Sequence, residues 1–235
     1  MLFIPVEDEV AAPTHWDDLV HWWTLDDDGA WADSVGSLDL SESGTVGTTA
    51  GDPSGETVAD IDSGEGLHFQ NVPSWTHGNA MSMAVWFNAD ALESSPGAFF
   101  MTYRDNPSNQ RLAQLLHRED GTVQANVFGV DAQNIVIRTP GVCPAGEWHH
   151  ALLTTDGASL HRVYIDGALE VTSTTAKTGN FPTTTTDFAF GIAGWDLSTL
   201  PYNGKLWGGG IWSRALTAAE AASLYNGGAF LEYTA

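Results

Sequence analysis

Acids at short spacing, adjacent histidines and loop aromatics beside amides are the residues in this sequence whose types could do chemistry. Asp60, Asp62 and Glu65 offer carboxylate oxygens within six residues, and Gly64 permits the sharp turn that wraps such ligands around a cation. Asp60 and Asp62 are therefore candidate ligands for Ca2+. Asp26-Asp27-Asp28-Gly29 is a similar acidic turn, read as solvent-exposed. His149 and His150 suggest zinc, but neighbouring strand residues point to opposite faces, so the two cannot hold one ion in regular geometry. Cys143 is the sole cysteine; it forms no intrachain disulfide and reads as a small buried apolar residue. Tryptophan and tyrosine stack on the apolar faces of sugar rings, while amides and carboxylates bind hydroxyls. Trp75, Tyr103, Asn106, Asn109, Trp195, Asp196, Tyr202 and Asn203 fall in loops or at their borders, and are the candidate ligand-binding residues.

The elements that must position these groups read as strands. Ala80 to Phe87, Leu112 to His117, Val123 to Phe128, Ile135 to Arg138 and Lys205 to Trp212 fit an all-β pattern, with Gly, Asn, Asp and Pro clusters between. Ala98 to Tyr103 and Phe188 to Ile192 are two more. Trp148 to Thr154, Leu160 to Ile165 and Leu169 to Ser173 are separated by Asp156-Gly157 and Asp166-Gly167, which predicts a three-stranded meander. Within it Trp148, His150 and Leu152 share one face, and His149, Ala151 and Leu153 the other. One helix is predicted after Thr217, because Thr217 and Glu220 form a capping box and Gly227 can end the turn. The polar stretch from Ser41 to Gly66 reads as a long loop inside one domain. The fold class is all-β, a two-sheet antiparallel sandwich with one short C-terminal helix. Residues 1–13 form an N-terminal arm and residues 14–235 the single domain.

Thirty acidic residues against eight basic ones give a formal net charge of −22, and no Lys or Arg precedes Arg104. Such a surface repels phosphate backbones, so nucleic acid is excluded as a partner. No apolar stretch approaches the length of a membrane span, which excludes membrane insertion by a helix. The acids are dispersed through the chain, as on a solvated surface adapted to salt. The first residues carry no signal-peptide pattern.

The meander also carries a resemblance. Gly146-Glu147-Trp148-His149-His150-Ala151, followed by Val163-Tyr164-Ile165-Asp166-Gly167, resembles the "G-x-W-H-H-V-A … Y-V-D-G" pattern of laminin-G-like, concanavalin A-like jelly rolls. His21-Trp22-Trp23-Thr24-Leu25-Asp26, Ala32-Asp33-Ser34-Val35-Gly36, Gly66-Leu67-His68-Phe69, Met81 to Phe87 and Ile211 to Leu216 resemble further segments of that family, in its order. The resemblance implies a jelly roll, a role for Asp33 as a ligand of a structural Ca2+, and a module that binds glycans or a protein surface rather than an enzyme. Where the family usually carries an acidic pair that completes the calcium site, this chain has Trp207-Gly208-Gly209. Relatives that hydrolyse glycosides use "E-x-D-x-x-E" on one strand; Asp60 to Glu65 departs from it at its first residue and places Ser63-Gly64 where a turn fits better, so no catalytic residue is assigned. The second reading is a structural accessory of a phage particle or other large assembly, anchored to its partner through the N-terminal arm. A glycoside hydrolase is the third. Either binding reading implies an extracellular or virion-associated protein.

Overall fold

A computed structural model describes residues 14–26, 30–51, 55–72, 77–92, 98–105, 111–129, 133–181, 186–193 and 200–234. Its strands are β1 (Leu19–Trp23), β2 (Ser41–Ser43), β3 (Gly47–Ala50), β4 (Thr57–Ile61), β5 (Gly66–Val72), β6 (Met81–Ala89), β7 (Ala98–Asp105), β8 (Arg111–His117), β9 (Thr122–Phe128), β10 (Asn134–Val142), β11 (His149–Thr155), β12 (His161–Ile165), β13 (Ala168–Ser173), β14 (Thr186–Phe190) and β15 (Gly204–Trp212). They form two antiparallel sheets. The first runs β13-β12-β11-β6-β15-β4-β3, with β1 beside β4 on the same edge of β15. The second runs β10-β9-β8-β7-β14-β5-β2. The expected sandwich and the meander β11-β12-β13 are both present. Asp166 and Gly167 take φ of 51° and 75°, the left-handed pair that a two-residue hairpin needs.

Two apolar layers hold this arrangement. Between the sheets, Trp23, Met83, Val85, Phe87, Ala151, Leu153 and Val163 meet Leu67, Met101, Leu115, Val127, Phe188 and Phe190. Trp23 stacks on Phe188 with ring centroids 4.7 Å apart. The first sheet is also covered on its outside, where Trp22, Trp86, Leu152, Tyr164, Trp207 and Trp212 pack against helix α1 (Ala218–Tyr225) and the residues after it. This second layer explains why β6 and β15 read as nearly unbroken apolar runs: both faces of each strand are buried. Thr217 and Glu220 form the predicted capping box, and Arg214 pairs with Glu220 while donating to the carbonyls of Thr14 and Asp17.

The stretch from Ser41 to Gly66 departs from its reading as a loop, because β2, β3 and β4 lie within it. Its Gly-, Ser- and Thr-rich sequence lacks strong alternation since β2 and β3 are short edge strands with little to bury. Trp207-Gly208-Gly209 has a packing explanation. The register of β15 on β6 shifts between Trp207 and Gly210. A Cβ on Gly209 would meet the Phe190 ring at 2.2 Å, and one on Gly210 the Trp212 ring at 2.6 Å. Glycine stands there because aromatic rings from both layers press on the strand.

Candidate functional site

The two acids of the recurring motifs turn out to be clamps. Asp166 Oδ2 lies 2.8 Å from His149 Nδ1, and Oδ1 accepts the backbone N–H of His150 at 2.9 Å. Asp33 repeats this on β1: its Oδ2 lies 2.6 Å from His21 Nδ1, and Oδ1 accepts the N–H of Trp22 at 3.1 Å. In each case a carboxylate on a turn grips one histidine ring and the next backbone amide of a strand. Asp33 also accepts the N–H groups of Val35, Gly36 and Leu38. Burial would raise its carboxyl, but the bond to His21 and these amides outweigh it and hold the pKa below the usual carboxylate range.

Asp33 therefore does not fit calcium as it stands. A carboxylate has about four lone-pair directions, and five N–H donors already share its two oxygens. Asp60 lies half-buried in β4, and Asp62 is exposed at the following turn. Glu65 accepts the amides of Thr45 and Asp62, so this acid stabilises the turn itself. Among the described residues no three His, Cys, Asp or Glu side chains gather into one cluster. Cys143 is buried, and burial pushes its thiol up to about 12, so no thiolate nucleophile is present at neutral pH.

The candidate ligand residues separate into three groups. Trp75, Asn106, Asn109, Trp195 and Asp196 lie outside the described residues. Tyr103 is on β7, opposite Phe188 of β14 and Ala113 of β8. Tyr202, expected at an exposed loop, is instead 1% exposed, with its hydroxyl directed at the Lys205 carbonyl. It belongs to the core between the sheets, with its backbone N–H donated to the Gly191 carbonyl. Asn203 is half-buried beside it, and its carbonyl accepts the N–H of Asp90.

A polar row crosses the outward face of the second sheet, and no local sequence signal reveals it. Strand registers place Val136, Asn126, Gln114, Thr102, Ala189, His68 and Ser41 successively opposite one another, one from each of the seven strands. Their chain neighbours, among them Leu115, Val127 and Phe188, face the core. Gln124 donates to Asn126 at 2.9 Å, and Asn126 donates to Gln114 at 3.1 Å. Asp187, two residues before Ala189, accepts the Asn71 amide through Oδ1. Gln114 and Asp187 are 1% and 0% exposed, yet among the described residues Gln114 Nε2 and Asp187 Oδ2 have no hydrogen-bond partner, and neither has His68 Nδ1. Burial lowers the pKa of His68, opposed by the charge of Asp187, so its imidazole is neutral at pH 7. Leu116, Ala193 and Leu200 form a small apolar cluster associated with the same sheet. Side by side the row holds an unused amide donor, an unused carboxylate acceptor and a neutral imidazole. These atoms are themselves buried, and Thr102 in the same row donates to the Ile192 carbonyl.

Comparison with known proteins gives the following. The family model described as the Concanavalin A-like lectin/glucanases superfamily matches residues 62–222. No curated protein sequence matches the chain. Domain 4 of AbnA, a GH43 extracellular arabinanase from Geobacillus stearothermophilus solved in complex with arabinotriose, is similar with a TM-score of 0.67 and 20% identity, covering 88% of this chain and 98% of that one. The binding domain of Paraclostridial Mosquitocidal Protein 1 gives 0.68 and 14%, over 91% of this chain and 53% of that one. The binding domain of botulinum neurotoxin DC, in complex with SialylT, gives 0.69 and 12%, over 91% and 52%. The chain spans about half the length of these toxin binding domains. At such identities the likeness shows a shared fold.

Proposed function

Because the chain belongs to the concanavalin A-like lectin/glucanase superfamily, we propose that it is a non-catalytic recognition module that binds a glycan across the outward face of its second sheet. The observation that carries this reading is the cross-strand row of Asn126, Gln114 and His68 with Asp187 beside it, in which Gln114 Nε2, His68 Nδ1 and Asp187 Oδ2 lack partners among the described residues. These atoms are buried, so the covering residues must part for the ligand. Leaving such a group unsatisfied costs about 1–3 kcal/mol, and a ligand hydroxyl offsets that cost. Two of the structures sharing the fold were solved with arabinotriose and with SialylT. Binding rather than hydrolysis is favoured by the supply of carboxylates. A retaining mechanism needs two about 5–5.5 Å apart, whereas Asp187 sits on β14, and Asp120, near the same face, is paired with Arg138 at the turn between β8 and β9.

A glycan array followed by calorimetry on the best oligosaccharide tests the reading. Gln114→Leu and Asp187→Asn are each expected to weaken binding about 5- to 10-fold, the loss of one or two hydrogen bonds. Silence across the array from a correctly folded protein overturns the glycan reading. Release of reducing ends from the bound polysaccharide overturns its non-catalytic part.

A further inference from the structure

The outer layer of the first sheet contains a cleft of about 350 Å3, away from the polar row and lined by Trp86, Asn88, Gly146, Glu147, Trp148, Tyr225 and Gly228. Three elements meet there. β6 brings Trp86 and Asn88, the turn before β11 brings Gly146 to Trp148, and the end of α1 brings Tyr225. The turn is fixed to β6 by a bond from the Gly146 amide to the Ala89 carbonyl at 2.7 Å. The helix is fixed by Gly167: a Cβ there would come within 3.0 Å of both Ala222 and Tyr225.

The rings are locked before any ligand arrives. Trp86 stacks on Tyr225 at 5.5 Å and touches Phe230 at 5.2 Å and His150 at 5.2 Å. Trp148 meets Phe230 edge-on at 5.1 Å, and Phe230 stacks on Trp207 at 4.3 Å. Trp148 and Tyr225 remain half-buried, so the cleft keeps open aromatic surface. Its charged group is Glu147, whose side chain is 66% exposed. Among the described residues no lysine or arginine lines it, and the chain as a whole carries −22.

We propose that this cleft binds an organic cation whose ammonium nitrogen carries alkyl groups, of the trimethylammonium kind. Tryptophan gives the strongest cation–π attraction, worth about 0.5–2 kcal/mol per contact depending on desolvation. The acidic field concentrates cations and repels phosphates and carboxylates. Alkyl groups on the nitrogen suit ring walls, which supply few hydrogen-bond acceptors. Aromatic walls with an amide and a carboxylate also suit a sugar, so what favours a cation is charge: Glu147 and the acidic field attract it and leave a neutral sugar unaffected. This proposal stands independently of the glycan site on the other sheet.

Choline chloride titrated against intrinsic tryptophan fluorescence tests it, with NaCl as the ionic-strength control and 3,3-dimethylbutan-1-ol as the uncharged isostere. A saturable change is expected with choline, with the isostere at least about 10-fold weaker, as loss of the cation–π contacts implies. Trp148→Ala should weaken choline binding about 10-fold. Glu147→Gln, at an exposed position that leaves the fold intact, should weaken it about 3-fold. Phosphatidylcholine vesicles, assayed by flotation, separate a lipid headgroup from a soluble ligand; either source supports the proposal. Equal response to the isostere, no response beyond that of NaCl, or displacement of choline by a neutral monosaccharide overturns it.

Discussion

His150 lies in the outer aromatic layer against Trp86, 3% exposed, with Nδ1 unpartnered among the described residues. Burial lowers its pKa to about 4, with Asp166 pulling weakly the other way. The unfolded imidazole titrates near 6.5. Above that pH both states are neutral and the buried ring stabilises the fold in full. As pH falls from 6.5 towards 4 the unfolded chain takes up a proton that the folded one refuses, so stability is lost, by about 3 kcal/mol at the lower end. Burial shifts His15, His68, His117 and His161 in the same direction, so the losses add. Urea unfolding at fixed salt should therefore show a midpoint that falls between pH 7 and pH 4.5. His150→Phe should remove its share of that slope, and an unchanged slope would mean that this ring is not a source of it.

At the scale of elements, the strands of the first sheet depend on where side chains are missing. Gly209→Ala should cost about 3 kcal/mol, because its Cβ would overlap the Phe190 ring in a layer that cannot yield. Gly47→Ala, where a Cβ meets nothing within 4 Å, is the matched control and should leave the thermal midpoint within about a degree of the parent. Equal melting of the two variants would show that the aromatic layer is softer than its contacts imply. This contrast also marks what a linear reading can reach. The meander was legible because Asp-Gly turns and alternation are local, and the helix because Thr217 and Glu220 sit three residues apart. Trp207-Gly208-Gly209 was legible as a departure, but its cause was not: Phe190 is a contact that only the packed sheets create. The polar row was hidden for the same reason. Gln114 and His68 lie 46 positions apart, and the strands between them, β7 and β14, arrive from different parts of the chain. Tyr202 reads as a loop residue because its neighbours Pro201 and Asn203 favour a turn, while its burial comes from packing in the core between the sheets, a tertiary contact.

The whole molecule carries a charge that its ion pairs do little to offset. Arg118, Arg138, Lys205 and Arg214 are each paired with an acid, which leaves most of the thirty carboxylates to repel one another. Self-repulsion is greater in the compact state than in the expanded one, so salt should favour folding. Raising NaCl from 0.05 to 1 M is expected to lift the thermal midpoint by about 4 °C or more, the equivalent of roughly 1–2 kcal/mol for a chain of this size. Calcium separates screening from ligation. At 0.5 M NaCl the field is already screened within about 4–5 Å, so 1 mM CaCl2 can then act only through a specific site, by mass action on the folded state. With Asp33 saturated by five N–H donors, the midpoint should not move between calcium and chelator. A rise of several degrees would require ligands drawn from elsewhere in the chain, and would return the acidic surface from a solvated coat to a metal-binding one.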